Sequence, residues 1–540
     1  MAIAISPLMV ESFQQFEIGD YPYGNWTYPD NEVGNRWRPE KLINHPADKF
    51  IFNWTTPQGT RVGESRSYYH TWVRSGPINF ESTIRPSVGT PFGYNSDTAF
   101  NVQEFAGGNY GDRNPLGVSI VPCPTRPGRK RLSLPGNKMP GRYSHTTTVN
   151  EIDANSLTIG FRFGVDSFSS DIVGCLSFVV RFPKRSLSST VNSEWCVIVG
   201  RDNAQPSTPQ GSNYGFFNMI TGSHQPWATF GCGRVIQVTS ATGEIGWEQT
   251  LPDSLPWAFF GHPRNAYASN VSIPNPNVAG PQGQFYKFEF DRDYHIELRI
   301  EPGSSVIDRC YVTAWVDGEL VANGVISYGT SDTVNGLSAV QMPNAGYYRS
   351  HNRGFAISHS VANRNGVKLT PELFESLGKI LISDIVYGAQ SKASNNVFGP
   401  STRVWGEMPN TDVDVQFKNN TGEGTNASVV GTPLSSSAVD PNRELHGVPG
   451  TSDTYKTEGS SMPDFAGSVQ YIMSTALVRT EGASVDAEAT IECGENMGST
   501  TIQPSTSNRY VRLDGINNPN APMSPAAAAE LTYGVKIEGS

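Results

Sequence analysis

An antiparallel all-β sandwich with long loops is the fold this sequence predicts, and three observations carry it. Tyr294, Ile296, Leu298 and Ile300 alternate with His295, Glu297, Arg299 and Glu301, the period-two pattern of a strand with one buried and one wet face. Cys310, Val312, Ala314 and Val316 repeat the alternation, and Asp317-Gly318 then supplies the positive-φ residues of a tight hairpin before Glu319 to Val321. Composition agrees: 54 glycines and 38 prolines favour short strands joined by turns, and charged residues make up only 17% of the 540-residue chain, below the roughly 25% of an average soluble domain. That length is enough for two or three domains with ample cores.

From the N-terminus, the first 155 residues carry Phe13, Phe16, Trp26, Trp37, Phe50, Phe52 and Trp54 at irregular spacing among Gly, Pro and Asn, which predicts loop-rich β structure. The segment from Pro122 to Pro140 holds the dense basic cluster Arg126, Arg129, Lys130 and Arg131. Three roles fit it: a solvated loop, a loop docking on an acidic neighbouring subunit, or a phosphate or glycan contact. From Asn155 the alternation is clear. Leu157, Ile159, Phe161 and Phe163 form one row, Leu176, Phe178, Val180 and Phe182 a second, and Trp195, Val197 and Val199 a third, so three strands are expected to send these residues into the core. Residues 203–285 are expected to hold the longest loops. There Trp227, Trp257, Phe259 and Phe260 would stack on a sugar, seal a subunit interface, or fill the loop's own small core. Thr370-Pro371-Glu372 opens a short helix that Gly378 closes. A strand follows, with Ile380, Ile382 and Ile385 around Asp384. After a polar stretch from Lys418 to Met462, Val469, Tyr471, Met473 and Thr475 share a strand face, and Ser524-Pro525 starts a helix over Ala526 to Leu531 before a last strand through Val535 and Ile537.

Two resemblances attach to these residues. The strand of Leu157 to Phe163, the polar-broken strand after it, Trp195 to Val199, and the hairpin ending in Trp315-Val316-Asp317-Gly318 stand in the order found in laminin-G and concanavalin-like jelly rolls, which they resemble. That resemblance implies two curved antiparallel sheets packed face to face, with rim loops that bind sugars or proteins. The strand around Asp384, the Phe398, Gly399, Arg403 and Val404 segment, and the closing strand, Pro-Asn turn, Ala-rich helix and strand from Tyr510 to Gly539 resemble a recurrent structural protein of tailed bacteriophages. It covers roughly residues 155–200 and 285–540. It implies a laminin-G-like sandwich over 1–395, with an N-terminal extension and a 203–285 insert, and a smaller C-terminal β domain over 396–540 that includes a polar extended segment at 418–462. It also implies a virion subunit of the tail, baseplate, collar or head surface, partnered with other virion proteins, homo-oligomeric, and touching host surface glycans. A lectin-like receptor-binding fibre protein and a glycan-degrading enzyme are the two alternatives.

Exclusions narrow the reading further. A net charge of −10 argues against nucleic acid as a partner. No run of 18 apolar residues exists, so no membrane span is expected. The opening MAIAISPLMVESFQQFE lacks a positive n-region, so no secretory signal is expected either. The six cysteines are far apart and the nine histidines form no HExxH, so no metal or cofactor is expected, and Cys175, Cys196 and Cys310 read as small buried hydrophobes within strands. Asp291-Arg292-Asp293 and Asp412-Val413-Asp414 lack the ligand count of a calcium loop and read as surface carboxylates. Glu151-Ile152-Asp153 resembles the start of the E-x-D-x-x-E strand of concanavalin-like glycanases, but position 156 is Ser156 and the second glutamate is missing. With no nucleophile elbow and no phosphate-binding loop, the chain reads as non-enzymatic.

Overall fold

The computed structural model describes residues 5–20, 49–55, 68–72, 119–134, 156–163, 172–184, 193–198, 228–231, 235–239, 245–249, 257–260, 284–302, 309–327, 333–334, 337–338, 355–362, 378–422, 424–433, 444–458, 467–478, 487–493, 500–502, 511–517 and 523–539. They form an all-β sandwich. Its largest sheet has nine antiparallel strands: in spatial order β17 (Glu319–Ser327), β16 (Arg309–Val316), β15 (Asp293–Pro302), β8 (Ile172–Arg181), β21 (Ile380–Ser391), β6 (Lys130–Leu134), β5 (Ser119–Pro122) and β2 (Gly19–Asp20), with β1 (Ser6–Glu11) also paired to β21. A second sheet has eight: β14 (Gln284–Lys287), β13 (Trp257–Phe260), β10 (Ala228–Gly231), β9 (Ser193–Ile198), β20 (Phe355–Ala362), β7 (Ser156–Phe163), β3 (Lys49–Thr55) and β4 (Tyr68–Trp72). Two ribbons stand apart, β11 (Val235–Thr239) with β12 (Ile245–Gln249) and β18 (Thr333–Val334) with β19 (Leu337–Ser338).

Residues 409–539 supply a five-stranded sheet of their own: β22 (Pro409–Val415), β25 (Ser452–Thr457), β30 (Tyr533–Gly539), β27 (Ala487–Cys493) and β28 (Thr500–Ile502). Beside it lie the ribbons β23 (Lys418–Asn419) with β24 (Leu445–His446) and β26 (Ile472–Val478) with β29 (Val511–Asn517), and two short helices, α1 (Asn426–Val430) and α2 (Pro525–Ala529). As the sequence predicts, Ser524 caps α2, its hydroxyl accepting from the Ala527 amide at 3.1 Å.

The apolar rows expected in β8 and β15, and the isoleucines expected around Asp384 in β21, lie in the core. Leu176, Phe178, Val180 and Phe182, Tyr294, Ile296 and Leu298, and Ile380, Ile382, Ile385 and Tyr387 are all buried, each contributing roughly 1.5–3 kcal/mol of apolar burial. Asp317 and Gly318 take φ of 50° and 84°, the mirror-image turn that matches strand twist in a two-residue hairpin. Tyr286 of β14 shows which face of the eight-stranded sheet looks inward. Its ring lies edge-on to Tyr294, 6.2 Å between centroids, and 4.8 Å from Phe288.

Four expectations change. The stretch 203–285, read as loops, supplies β10 to β13 and the start of β14. The described parts of the first 155 residues supply β1 to β6 to the two sheets. The polar stretch 418–462 carries β23, α1, β24 and β25 rather than an extended chain. In β9 the register puts Cys196 and Ile198, not Trp195 and Val197, in rows with Ile159 and Phe161, so the faces of that strand are the reverse of the expectation. The physical reason is that β9 is apolar at four consecutive positions, so alternation gives no sign of which set faces in. Cys175 is buried in β8 as expected. The helix expected at Thr370 and the carboxylates at Glu151 and Asp153 lie outside the described residues.

Candidate functional site

The basic cluster folds as the tip of the β5–β6 hairpin, closed by the Arg129 amide donating to the Arg126 carbonyl at 3.1 Å and by Gly128 at φ 76°. All four cations turn back onto the chain. Arg126 grips the carboxylate of Asp384 with both terminal nitrogens, one bond being 3.0 Å. Asp384 is 1% exposed and sits at φ 54° in a β-bulge of β21, the distortion that aims its carboxylate out of the strand. Arg131, fully buried, makes a two-pronged bond to Asp293 at 2.8 and 2.5 Å, and Arg181 adds a third at 3.2 Å. Burial pushes the Asp293 acid constant upward, but Arg131, with Thr125 and Arg181, outweighs it and holds the group at about 2. Arg129 lies over the Trp405 ring, 3.0 Å from its centroid, and donates to the Gly406 carbonyl at 2.6 Å. Burial pulls its pKa down to about 10. Lys130 donates to the carbonyls of Gln14, at 2.9 Å, and Phe16. All four cations thus join segments of the chain itself, from Gln14 and Phe16 to Asp384 and Gly406.

The same outer face of the nine-stranded sheet, expected to be wet, is sealed. His295 and Glu297 are 2% and 3% exposed. Residues 391–408 run across them as a strap. The Glu297 carboxylate accepts from the amides of Phe398 and Gly399 at 2.6 and 3.0 Å, Asp384 accepts from the Val404 amide at 2.8 Å, and Arg299 donates to Asn395 and the Ser394 carbonyl at 2.8 and 3.0 Å. Under the strap Ser177 Oγ and His295 Nε2 are 2.7 Å apart, while His295 Nδ1 has no partner. Burial, with Arg403 nearby, lowers His295 to about 4, so the ring is neutral at neutral pH. This is a clamp, because Ser177 is fully buried and no substrate reaches it. Among the described residues no group of three or more His, Cys, Asp or Glu is arranged to hold a metal ion.

The outer face of the eight-stranded sheet is different in kind. Trp257, Phe259 and Phe260, expected in a loop, lie on β13, paired to β10 on one side and β14 on the other; Trp227 lies outside the described residues. One continuous row crosses all eight strands: Lys287, Trp257, Gly231, Trp195, Ser360, Thr158, Asn53 and Tyr69. Its neighbour on the same face reads Phe285, Phe259, Thr229, Val197, Ser358, Gly160, Ile51 and Thr71. Phe260 falls on the alternate face. Tyr286, the inward marker, is one residue from Lys287, so the Lys287 row belongs to the face turned away from the nine-stranded sheet. Trp195, Tyr69 and Lys287 are not singled out by the sequence as site residues; the one signal is Trp195 at the head of an apolar run, Trp195 to Ile198, whose phase alternation leaves open.

No protein-family model and no curated protein matches the chain. Among solved structures it is similar to an alginate lyase from Aplysia kurodai (12% identity over 50% of this chain and 86% of that one, TM-score 0.25), an alginate lyase in complex with dimannuronate (10%, 67% and 98%, 0.25), and a carbohydrate esterase from the Shiga toxin-encoding bacteriophage phi24B (13%, 51% and 87%, 0.24). At that level of likeness no reaction or substrate transfers to this chain. The expectation of a non-enzymatic protein is nonetheless corrected here: these solved structures are polysaccharide-acting or carbohydrate-acting enzymes. The missing glutamate at Ser156 bears only on hydrolysis by a carboxylate pair.

Proposed function

We propose that this chain is a carbohydrate-acting protein that takes a polysaccharide across the outer face of its eight-stranded sheet. The observation that carries the proposal is the single row holding Trp257, Trp195 and Tyr69 with Ser360, Thr158 and Asn53 between them. Trp257 and Trp195 stand two strands apart, ~10 Å at the usual strand spacing. Flat rings offer apolar area to the faces of sugar rings, and hydroxyl and amide groups between them match sugar hydroxyls, the mixture expected of a ligand surface. The test is affinity electrophoresis of the full chain against a panel of soluble polysaccharides, with polymer length followed by size-exclusion chromatography. Retardation lost in Trp195→Ala and Trp257→Ala, together with polymer shortening, is the expected result. Binding without shortening would leave a lectin-like module, and no retardation by any polymer would sink the proposal.

We further propose a bacteriophage particle as its setting. Support comes from the closing segment, where the capped helix α2 and the final strand β30 follow in the order the resemblance implies. Quantitative mass spectrometry of purified particles tests it. Absence from particles that contain the other structural proteins would remove the virion reading and leave the carbohydrate reading untouched.

A further inference from the structure

We infer that the polysaccharide taken by this face is acidic, carrying carboxylates along its backbone; the inference rests on the carbohydrate reading and deepens it. Three cationic residues share the face. Lys287 ends the aromatic row on β14. Arg162 of β7 and Lys49 of β3 are direct cross-strand partners on the same face, with Ala356 of β20 completing their row. They stand four residues along their strands from Thr158 and Asn53 of the aromatic row, ~13 Å at the rise of an extended chain. Cationic positions thus flank the aromatic ones.

Two further features point the same way. Like charges directly opposite on neighbouring strands oppose pairing. Arg162 and Lys49 occupy such directly opposed positions in the register. In addition, none of the described positions on this face is an Asp or Glu, although the whole chain has 50 acidic against 40 basic residues. A cationic pair without an acidic neighbour in register suits a ligand that brings its own carboxylates, which Arg takes in a fork and Lys as a point charge.

The experiment compares polyuronates with their methyl-esterified forms, which keep the backbone and remove the charge. The full chain is titrated with each pair by isothermal calorimetry at rising salt, and the variant K49Q/R162Q/K287Q is run alongside, with its thermal unfolding measured as a folding check. The expected result is at least about tenfold tighter binding of the free acid than of the ester. That preference should fade as salt rises and be absent in the folded triple variant, which still binds the ester. Equal, salt-insensitive affinity for acid and ester, lost in Trp195→Ala, would overturn the acidic class while leaving the carbohydrate reading in place. Binding to neither form, or binding indifferent to Trp195→Ala and Trp257→Ala, would overturn both.

Discussion

On the outer face of the nine-stranded sheet, Arg126, Arg131 and Arg181 meet Asp384 and Asp293, and a strap at 391–408 lies over the ensemble. On the outer face of the eight-stranded sheet, Lys287, Arg162 and Lys49 share positions with tryptophan, tyrosine and asparagine, and no described position there is acidic. The two faces belong to the same sandwich and use charge for different ends. Charge clustered in sequence, at 126–131, holds together segments remote in the chain: Arg126 joins β5–β6 to β21, and Arg129 reaches Trp405 and Gly406. Charge scattered in sequence, at 49, 162 and 287, is gathered onto one face by strand register. Density along the chain is therefore a poor guide to which cations meet a ligand.

The comparison breaks most easily at Asp384. Removing one partner of a buried charge pair leaves the other uncompensated, so Asp384→Ala is expected to cost about 3–5 kcal/mol, read as a lower urea midpoint at unchanged m. A loss under about 1 kcal/mol would put the Arg126–Asp384 pair among ordinary surface bridges. The next largest effect is pH-dependent. The His295 ring protonates near 4 in the fold and 6.5 when free, its folded value depressed chiefly by burial and also by Arg403, against Asp384. Its contribution to stability is complete above pH 6.5 and drains away as pH falls to 4, by about 3 kcal/mol at most for a 2% exposed group. Denaturation midpoints measured across that window should slope downward in the parent and flatten in His295→Phe. An unchanged slope would assign the acid lability to other groups. Smaller again is Glu297→Gln, which keeps one acceptor for the Phe398 and Gly399 amides and loses the other. A cost of about 1–3 kcal/mol is expected, with faster hydrogen exchange at those two amides.

Much of the nine-stranded sheet was legible. β8 and β15 carry period-two apolar rows, β21 is apolar around a bulge at Asp384, and the Asp317-Gly318 turn announces its own backbone geometry. What hid its outer face was long range: His295 and Glu297 look like wet positions until residues 391–408, nearly a hundred positions later, fold over them. The eight-stranded sheet was legible as strands and not as faces. Trp195, Cys196, Val197 and Ile198 satisfy either phase, and only pairing with β20 and β10 decides that Trp195 shares a row with Trp257. β13 itself is four residues long and flanked by prolines and glycine, so its Trp-Ala-Phe-Phe reads as loop until β10 and β14 pair with it.

The smallest expected effect sharpens the comparison most. If Lys49, Arg162 and Lys287 serve a ligand and hold nothing together, replacing all three by Gln should move stability by no more than about 0.5 kcal/mol each. The change should lean toward stabilisation, because two like charges at directly opposed strand positions go with them. Arg131→Gln, a single change on the other sheet, should cost several times more, since it strips Asp293 of the two-pronged partner that holds its acid constant at about 2. Urea midpoints of the two variants side by side decide the matter. A triple variant as unstable as Arg131→Gln would mean that the cations of the eight-stranded sheet are structural too, and the distinction between a sealed face and a ligand face would fall.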